Sequence, residues 1–200
     1  TLPRRARLLL GLIFLTRLPF GFLLLQTLLL FRGPFAGSSG PTGGMLRFGM
    51  AAVAAAVGFT LAAVITPWLA PHWGSIPYAA HALTLAGATM LVVGPWLTPW
   101  SIVAVGFVVA FASQAVKINV DSLLQAHVPD ELLGRTFAAY DVVYNAGLVV
   151  AIALAAVTLP DSGQAAWPFI VLAGGYAVVV LALGPRWQRA YRLDVAAPLG

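Results

Sequence analysis

The sequence contains no cysteine and little charge of either sign. Without cysteine, disulfide bonds and thiolate metal sites are excluded within these 200 residues, and cysteine usage says nothing about the redox compartment. Asp, Glu, Lys and Arg make up 8% of the residues, against roughly 25% in soluble proteins. Because 60% of the residues are hydrophobic and the mean hydropathy is +0.93, a soluble chain of this length could not bury its apolar surface. The sequence therefore predicts an integral membrane protein.

Six apolar segments approach the roughly 20 residues that a membrane-spanning helix needs. The breaks between them are rich in Gly, Pro and Ser, which punctuate helices, and the first break reads RGPFAGSSGPTGG. We therefore predict an all-α polytopic membrane bundle of six transmembrane helices, at 8–31, 46–69, 77–96, 101–125, 135–159 and 167–183. The predicted domains are a basic cytoplasmic linker at 1–7, the bundle at 8–185 and a cytoplasmic tail at 186–200.

The arginines indicate how such a bundle lies in the membrane. Six spans place both termini on one side, and more arginines fall on that side than on the other. The shared side carries Arg4, Arg5, Arg7, Arg135, Arg186, Arg189 and Arg192, and the opposite side carries Arg32 and Arg47. The positive-inside rule then predicts cytoplasmic termini. This placement explains the net charge of +5 without nucleic acid as a partner, because no basic stripe with interleaved aromatic residues is present.

The second span, FGMAAVAAAVGFTLAAVITPW, consists largely of Ala, Gly and Val. Small residues let membrane helices approach each other closely, so one interpretation places this helix tightly inside the bundle. A generic Ala-rich helix explains the composition equally well, and both interpretations stay open.

Polar residues gather where the fourth span passes into the fifth, in KINVDSLLQAHVPDELLGRTFAAYD, residues 117–141. At 100° per residue they form one stripe on each of the two helices. The stripes consist of Gln114, Lys117, Asp121 and Gln125 on the fourth helix, and of Asp141, Tyr144 and Asn145 on the fifth. Gly134 is expected in a tight turn between them. A polar stripe on a spanning helix should face protein or water rather than lipid.

Three interpretations of these charges stay open. In the first, a salt-bridge network clasps helices four and five near the cytoplasmic face and helps to gate the protein. Its members would be Lys117, Asp121, Arg135 and Asp141. In the second, Asp121 or Asp141 carries the proton of a coupled transport reaction. In the third, the charges contact a substrate directly. Ionisable residues inside a membrane are functional candidates, although long side chains near an interface also reach water at small cost.

Arg17 is the other charge inside a predicted span, in the segment FLTRLPFGF. Pro19 and Gly21 follow it, so the first helix is expected to kink there and to free backbone carbonyls. A broken helix beside a charge is typical of transporter substrate sites. An ion pair with an acidic residue of a neighbouring helix is the favoured alternative. The candidate cavity-lining residues are Arg17, Gln26, Gln114, Gln125, Tyr144 and Asn145.

No catalytic set can be assembled from this sequence. His72, His81 and His127 are scattered without the HExxH spacing of a zinc site, and neither a GxSxG elbow nor a phosphate-binding loop is present. We therefore predict that the chain is not an enzyme and that it uses no metal and no cofactor.

The segment at 112–151, ASQAVKINVDSLLQAHVPDELLGRTFAAYDVVYNAGLVVA, resembles the C-terminal half of major facilitator superfamily transporters, specifically the drug-efflux-like bacterial members. In such proteins the tenth helix carries a Lys, Asp and Gln pattern that leads into an Arg-Gly-Arg turn, and a Tyr-Asp pair and an Asn follow on the eleventh. The matching residues are Lys117, Asp121, Gln125, Gly134, Arg135, Tyr140, Asp141 and Asn145. Leu133 stands where the family often has the first arginine. The start, TRLPFGFLLLQTLLLFR, is similar to helix seven.

This resemblance implies a bacterial cell-membrane protein that performs secondary active transport by alternating access, with a small-molecule substrate bound between two six-helix halves. It points to proton-coupled export of a small amphipathic compound. The implied partner is an N-terminal half, which the start at Thr1 before a basic run leads us to expect. The alternative is a self-contained six-helix protein with a structural role or an oligomeric channel. Clear polar stripes on only two helices disfavour a symmetric pore.

Overall fold

The computed structural model describes residues 4–37 and 40–182, and every regular element in these residues is helical. The helices are α1 Arg4–Arg32, α2 Gly40–Trp73, α3 Ser75–Val92, α4 Pro99–His127, α5 Asp130–Thr158 and α6 Trp167–Ala182, with a 3₁₀ helix at Gly94–Trp96. Five of them are long and apolar enough to cross a membrane, and α6 is a shorter apolar helix. The predicted all-α membrane bundle is confirmed. The predicted tail at 186–200 lies outside the described residues, and α1 begins within the predicted linker.

The turn between α4 and α5 is shorter than the sequence predicted. Val128 is extended, as a residue before proline usually is, and it ends α4. Asp130 and Glu131 then lie in the first turn of α5, where their charges favour the helix N-terminus. The helix therefore begins at Asp130 instead of 135, and Gly134 lies inside α5. The expectation of a tight turn at Gly134 was wrong.

The connection between α2 and α3 is also tighter than expected. The predicted loop APHWGS is mostly helical, because α2 continues through Pro67 and Pro71 to Trp73. Gly74 alone separates the two helices, with a positive φ of 89° that glycine adopts without strain. Its N–H donates to the carbonyl of Ala70 at 2.8 Å, which satisfies one of the last carbonyls of α2.

Helices α1 and α4 occupy the centre of the bundle. α1 packs against α5 and α4, α4 also packs against α2 and α3, and α3 packs against α6. α2 and α5 lie at the edges, where most of their surface is exposed. In the described part of the chain α2 therefore packs closely against α4, as its small residues allow, but it does not lie inside the bundle. Its small residues serve one face only: Gly58 lies directly against the Phe107 carbonyl of α4, where no side chain fits.

Helix α1 continues without interruption through Pro19, so the break expected beside Arg17 is not found. Two glycines instead bring α1 and α5 close together. A Cβ added at Gly21 would lie 2.8 Å from the Cβ of Ala151, and one at Gly147 would lie 3.2 Å from the Cβ of Arg17. Small residues at such crossings allow close backbone approach in membrane helices. This approach places Arg17 against the inner face of α5.

Candidate functional site

Arg17 lies near the middle of α1, and its side chain is only 9% exposed. The guanidinium carbon is 4.4 Å from the ring centroid of Phe20 and 4.2 Å from that of Tyr144 on α5. Aromatic faces attract a cation, with about 2 kcal/mol or more at desolvated sites. The charge of Arg17 is therefore held by ring faces, one on its own helix and one on α5.

Two nitrogen atoms of this guanidinium have no hydrogen-bond partner. Nε and Nη1 of Arg17 are both buried, and neither donates to an acceptor in the described part of the chain. No ion pair joins Arg17 to a carboxylate among residues 9–37 and 40–182 either. The acidic neighbour favoured from the sequence is thus not found in that part of the chain. A buried donor left unpaired costs about 1–3 kcal/mol, and more when it is charged.

Lys117 and Asp121 form an ion pair on one face of α4. Lys117 Nζ lies 2.8 Å from Asp121 Oδ2, and the two side chains are 30% and 26% exposed. Their spacing of four residues places them on the same side of the helix, as the sequence predicted. The pair lies between the centre of α4 and its C-terminal end, since about 15 Å of helix separate Lys117 from His127.

A pair of tyrosines connects Arg17 with Lys117. The rings of Tyr140 and Tyr144 on α5 stack with centroids 6.0 Å apart and planes inclined by 10°. Lys117 Nζ is 5.4 Å from the centroid of Tyr140 and 5.7 Å from that of Tyr144. Because Arg17 contacts Tyr144 as well, one aromatic stack of α5 lies against cations from α1 and α4.

Asp121 retains an acceptor that is not used. Its Oδ1 atom is buried without a hydrogen bond, and so is the hydroxyl of Tyr140. The Tyr140 hydroxyl and the Asp121 carboxylate interact both through charge and as a hydrogen-bonding pair, although their geometry falls short of a standard hydrogen bond. A buried polar pair of this kind is costly unless its hydrogen bond is completed.

The structure leaves the other predicted charges outside this cluster. Arg135 and Asp141 are exposed on α5, and in the described part of the chain no ion pair links them to each other or to Lys117 and Asp121. Asn145 is exposed and donates to the backbone carbonyl of Asp141 at 2.8 Å. The predicted four-charge network is therefore a single pair in this structure.

The three glutamines named from the sequence occupy different environments. Gln114 is half-buried and Gln125 is exposed, both on the stripe of α4 that carries Lys117. Gln26 is fully buried on α1, and its Nε2 donates to the carbonyls of Gly163 at 3.2 Å and Ala165 at 2.7 Å. Gln26 thus holds the connection between α5 and α6, which gives it a structural role.

Sequence reasoning did not select Phe20 or Tyr140 as site residues. Both carried a local signal, since Phe20 follows Arg17 by three residues and Tyr140 precedes Tyr144 by four, so each pair shares a helix face.

Phe20 also borders an apolar cavity of about 70 Å³ between α1, α2 and α4. This cavity is lined by Phe20, Leu23, Ala51, Ile102, Gly106 and Val109, among others.

Comparison with known proteins agrees with this architecture. No protein-family model and no solved structure matches the chain. The chain is 35% identical over 158 residues to a protein of Mycobacterium bovis named an uncharacterized MFS-type transporter, and equally so to one of Mycobacterium tuberculosis with the same description. The match covers 79% of this chain and 34% of each relative. The chain thus spans about a third of the length of these relatives.

The name MFS denotes the major facilitator superfamily, the family indicated by the motif at 112–151. Similarity over most of the chain, together with a bundle of membrane-length helices, confirms the resemblance. The molecule is a multi-pass membrane protein, and its relatives are named as transporters. These findings identify the chain as a homologue of the MFS-type transporters.

Proposed function

We propose that this chain is the C-terminal six-helix half of a secondary active transporter, which exports a small amphipathic compound in exchange for protons. It would work by alternating access together with an N-terminal six-helix half, in a bacterial cell membrane with both termini in the cytoplasm. The homology to MFS-type transporters supports membrane transport. The arginine asymmetry supports the orientation.

The observation that carries the proposal is the Lys117–Asp121 pair. Its side chains are 30% and 26% exposed although they lie well inside a membrane-length helix. A charge that faces hydrocarbon is costly, so such residues face a protein interior or a water-filled path. A second helix bundle and an aqueous path on this side of α4 would meet that requirement.

The same geometry supports a role for Asp121 in proton coupling. A proton on Asp121 would remove the negative charge that lies 2.8 Å from Lys117 Nζ. Lys117 would then retain only the ring faces of Tyr140 and Tyr144 as close partners. One proton thus changes the net charge of the cluster and frees a cation. Asp141 stays a second candidate, and exposed Arg135 would help to gate the cytoplasmic side.

Thiol accessibility tests this mechanism without knowledge of the substrate. Because this chain contains no cysteine, Gln114→Cys can serve as a single reporter in the gene product that carries the chain, with any further cysteines replaced by Ser. Vesicles of both orientations are treated with a charged, membrane-impermeant methanethiosulfonate under pH gradients of either sign. We expect the labelling rate at position 114 from one side to rise as that from the other side falls.

Two variants control this experiment. Val178→Cys, on an exposed face of α6, should stay unlabelled because a lipid-facing thiol does not ionise. Asp121→Asn should insert normally and lose the response of position 114 to the gradient. Labelling from both sides at once would instead support an oligomeric channel. A normal response in a well-inserted Asp121→Asn protein would exclude a required charge at Asp121.

A further inference from the structure

We infer that the Arg17 site binds the anionic group of the transported compound, which is a small amphipathic anion such as an aromatic or alkyl carboxylate. The inference rests on the proposed transport function and specifies the chemical class of the substrate. It joins two features that share Phe20 as a neighbour: a buried guanidinium with unused donors and an apolar cavity.

The first step concerns the charge of the ligand. Arginine stays protonated in proteins and presents planar N–H donors that match a carboxylate. Arg17 is nine-tenths buried, and its Nε and Nη1 donate to nothing in the described part of the chain. The rings of Phe20 and Tyr144 attract the positive charge, but a ring face is a weak substitute for an oxygen acceptor. An anion is the ligand that satisfies both the charge and the donors.

The second step concerns competing acceptors. Asp121 is the acidic residue of the neighbouring cluster, and its Oδ2 is already bonded to Lys117. The stacked rings of Tyr140 and Tyr144 contact both Lys117 and Arg17, and no ion pair joins Arg17 to Asp121 in the described part of the chain. Asp121 therefore does not neutralise Arg17, which leaves the guanidinium available to an external anion.

The third step concerns the rest of the ligand. The apolar cavity begins at Phe20 and has a volume of about 70 Å³, which corresponds to roughly five water-sized groups. Gly106 lies on its wall, and a Cβ added there would meet no atom within 4 Å. Phe20 both lines this cavity and contacts the guanidinium of Arg17, so a compound whose apolar part lies in the cavity against Phe20 would direct its anionic end towards Arg17.

Binding of 2-naphthoate to the purified gene product that carries this chain tests the inference. Radiolabelled 2-naphthoate is displaced by unlabelled 2-naphthoate, by 2-naphthalenemethanol or by 2-naphthylmethylammonium, which share one ring system and differ in charge. We expect the alcohol and the ammonium to require at least about tenfold higher concentrations than the carboxylate, a difference of about 1.4 kcal/mol. Equal displacement by all three compounds would overturn the inference.

Variants separate the two parts of the site. Arg17→Gln should weaken naphthoate binding by about tenfold or more and leave the affinity for the alcohol unchanged, whereas Arg17→Lys should restore part of the difference. Gly106→Leu should fill the cavity and weaken both ligands. Gly175→Leu is its matched control, because Gly175 on α6 also has open space around it. If Arg17→Gln does not fold, two measurements still test the inference. They are the displacement of naphthoate from the wild-type protein by the three compounds and the comparison of Gly106→Leu with Gly175→Leu.

Three outcomes would count against an anionic substrate. Tighter binding of the ammonium compound than of naphthoate would show that a carboxylate elsewhere in the gene product forms an ion pair with Arg17. Displacement of naphthoate by phosphatidylglycerol in mixed micelles would assign the anion to a lipid headgroup. Absence of saturable naphthoate binding up to about 1 mM would exclude the class. In each case a normal thiol response at position 114 would leave the proposed transport function standing.

Discussion

Replacing Lys117 with Met tests how strongly the ion pair of α4 holds this part of the bundle. The substitution keeps most of the side-chain length and removes the charge that lies 2.8 Å from Asp121 Oδ2. The Asp121 carboxylate then loses its one close cationic partner in the described part of the chain and keeps only its interaction with the Tyr140 hydroxyl. We expect Lys117→Met to destabilise the protein and Asp121→Asn in the same background to recover much of the loss.

The magnitude follows from the burial of the pair. Exposed ion pairs contribute about 0.2–1 kcal/mol, and removing one partner of a fully buried pair costs about 3–5 kcal/mol. Side chains that are 30% and 26% exposed lie between these limits. We therefore expect a coupling energy of about 2 kcal/mol in the double-mutant cycle formed by Lys117→Met and Asp121→Asn.

The cycle is measured on the gene product that carries this chain, by equilibrium unfolding in lipid–detergent mixtures. The matched control is a second cycle with Arg135→Met and Asp141→Asn, because both residues are exposed and form no ion pair with each other. That cycle should give a coupling energy below about 0.5 kcal/mol. A Lys117–Asp121 coupling energy as small as that of the control cycle would refute the reasoning. A large coupling energy in the control cycle would instead support the four-charge network predicted from the sequence.

Three further predictions follow from packing and hydrogen bonds. Gly21→Ala should destabilise the bundle by about 1–3 kcal/mol, because its Cβ would lie 2.8 Å from that of Ala151. Gly11→Ala, with open space around it, should be neutral or slightly stabilising in the same unfolding assay. Gln26→Leu removes two hydrogen bonds to the α5–α6 connection and should increase protease cleavage there; an unchanged cleavage rate would contradict its structural role. Thr98→Ala removes the capping box of α4, with an expected loss of about 1 kcal/mol and faster amide exchange in the first turn.

Helix positions were predictable because their causes are local. A run of apolar residues long enough to cross the bilayer specifies a helix, and Thr98 with Pro99 supplies a start signal at α4. The errors arose at proline and glycine. Pro71 is accommodated inside α2 and Gly134 inside α5, since both residues weaken a helix without always ending it.

The candidate site was only partly predictable. The Lys117–Asp121 pair spans one turn of a single helix, so its geometry follows from helical spacing. Arg17 and Tyr144 are far apart in sequence, and their contact depends on the close crossing of α1 and α5 at Gly21 and Gly147. The predicted polar stripe of α5 included Tyr144 but did not indicate α1 as its neighbour, and Asp141 and Asn145 of the same stripe are exposed.

By itself, the sequence determined that this protein is a multi-pass helical membrane protein with a charged stripe on its fourth helix, because hydropathy and helical periodicity act over a few turns of one segment. The tertiary structure alone decided that Arg17 lies against an aromatic stack of α5 and, within the described residues, against no acidic side chain, and that Arg135 and Asp141 remain exposed. Such contacts depend on which helix faces approach each other. Small residues and close packing between distant segments determine which faces meet, and the residue pattern along one segment does not indicate this.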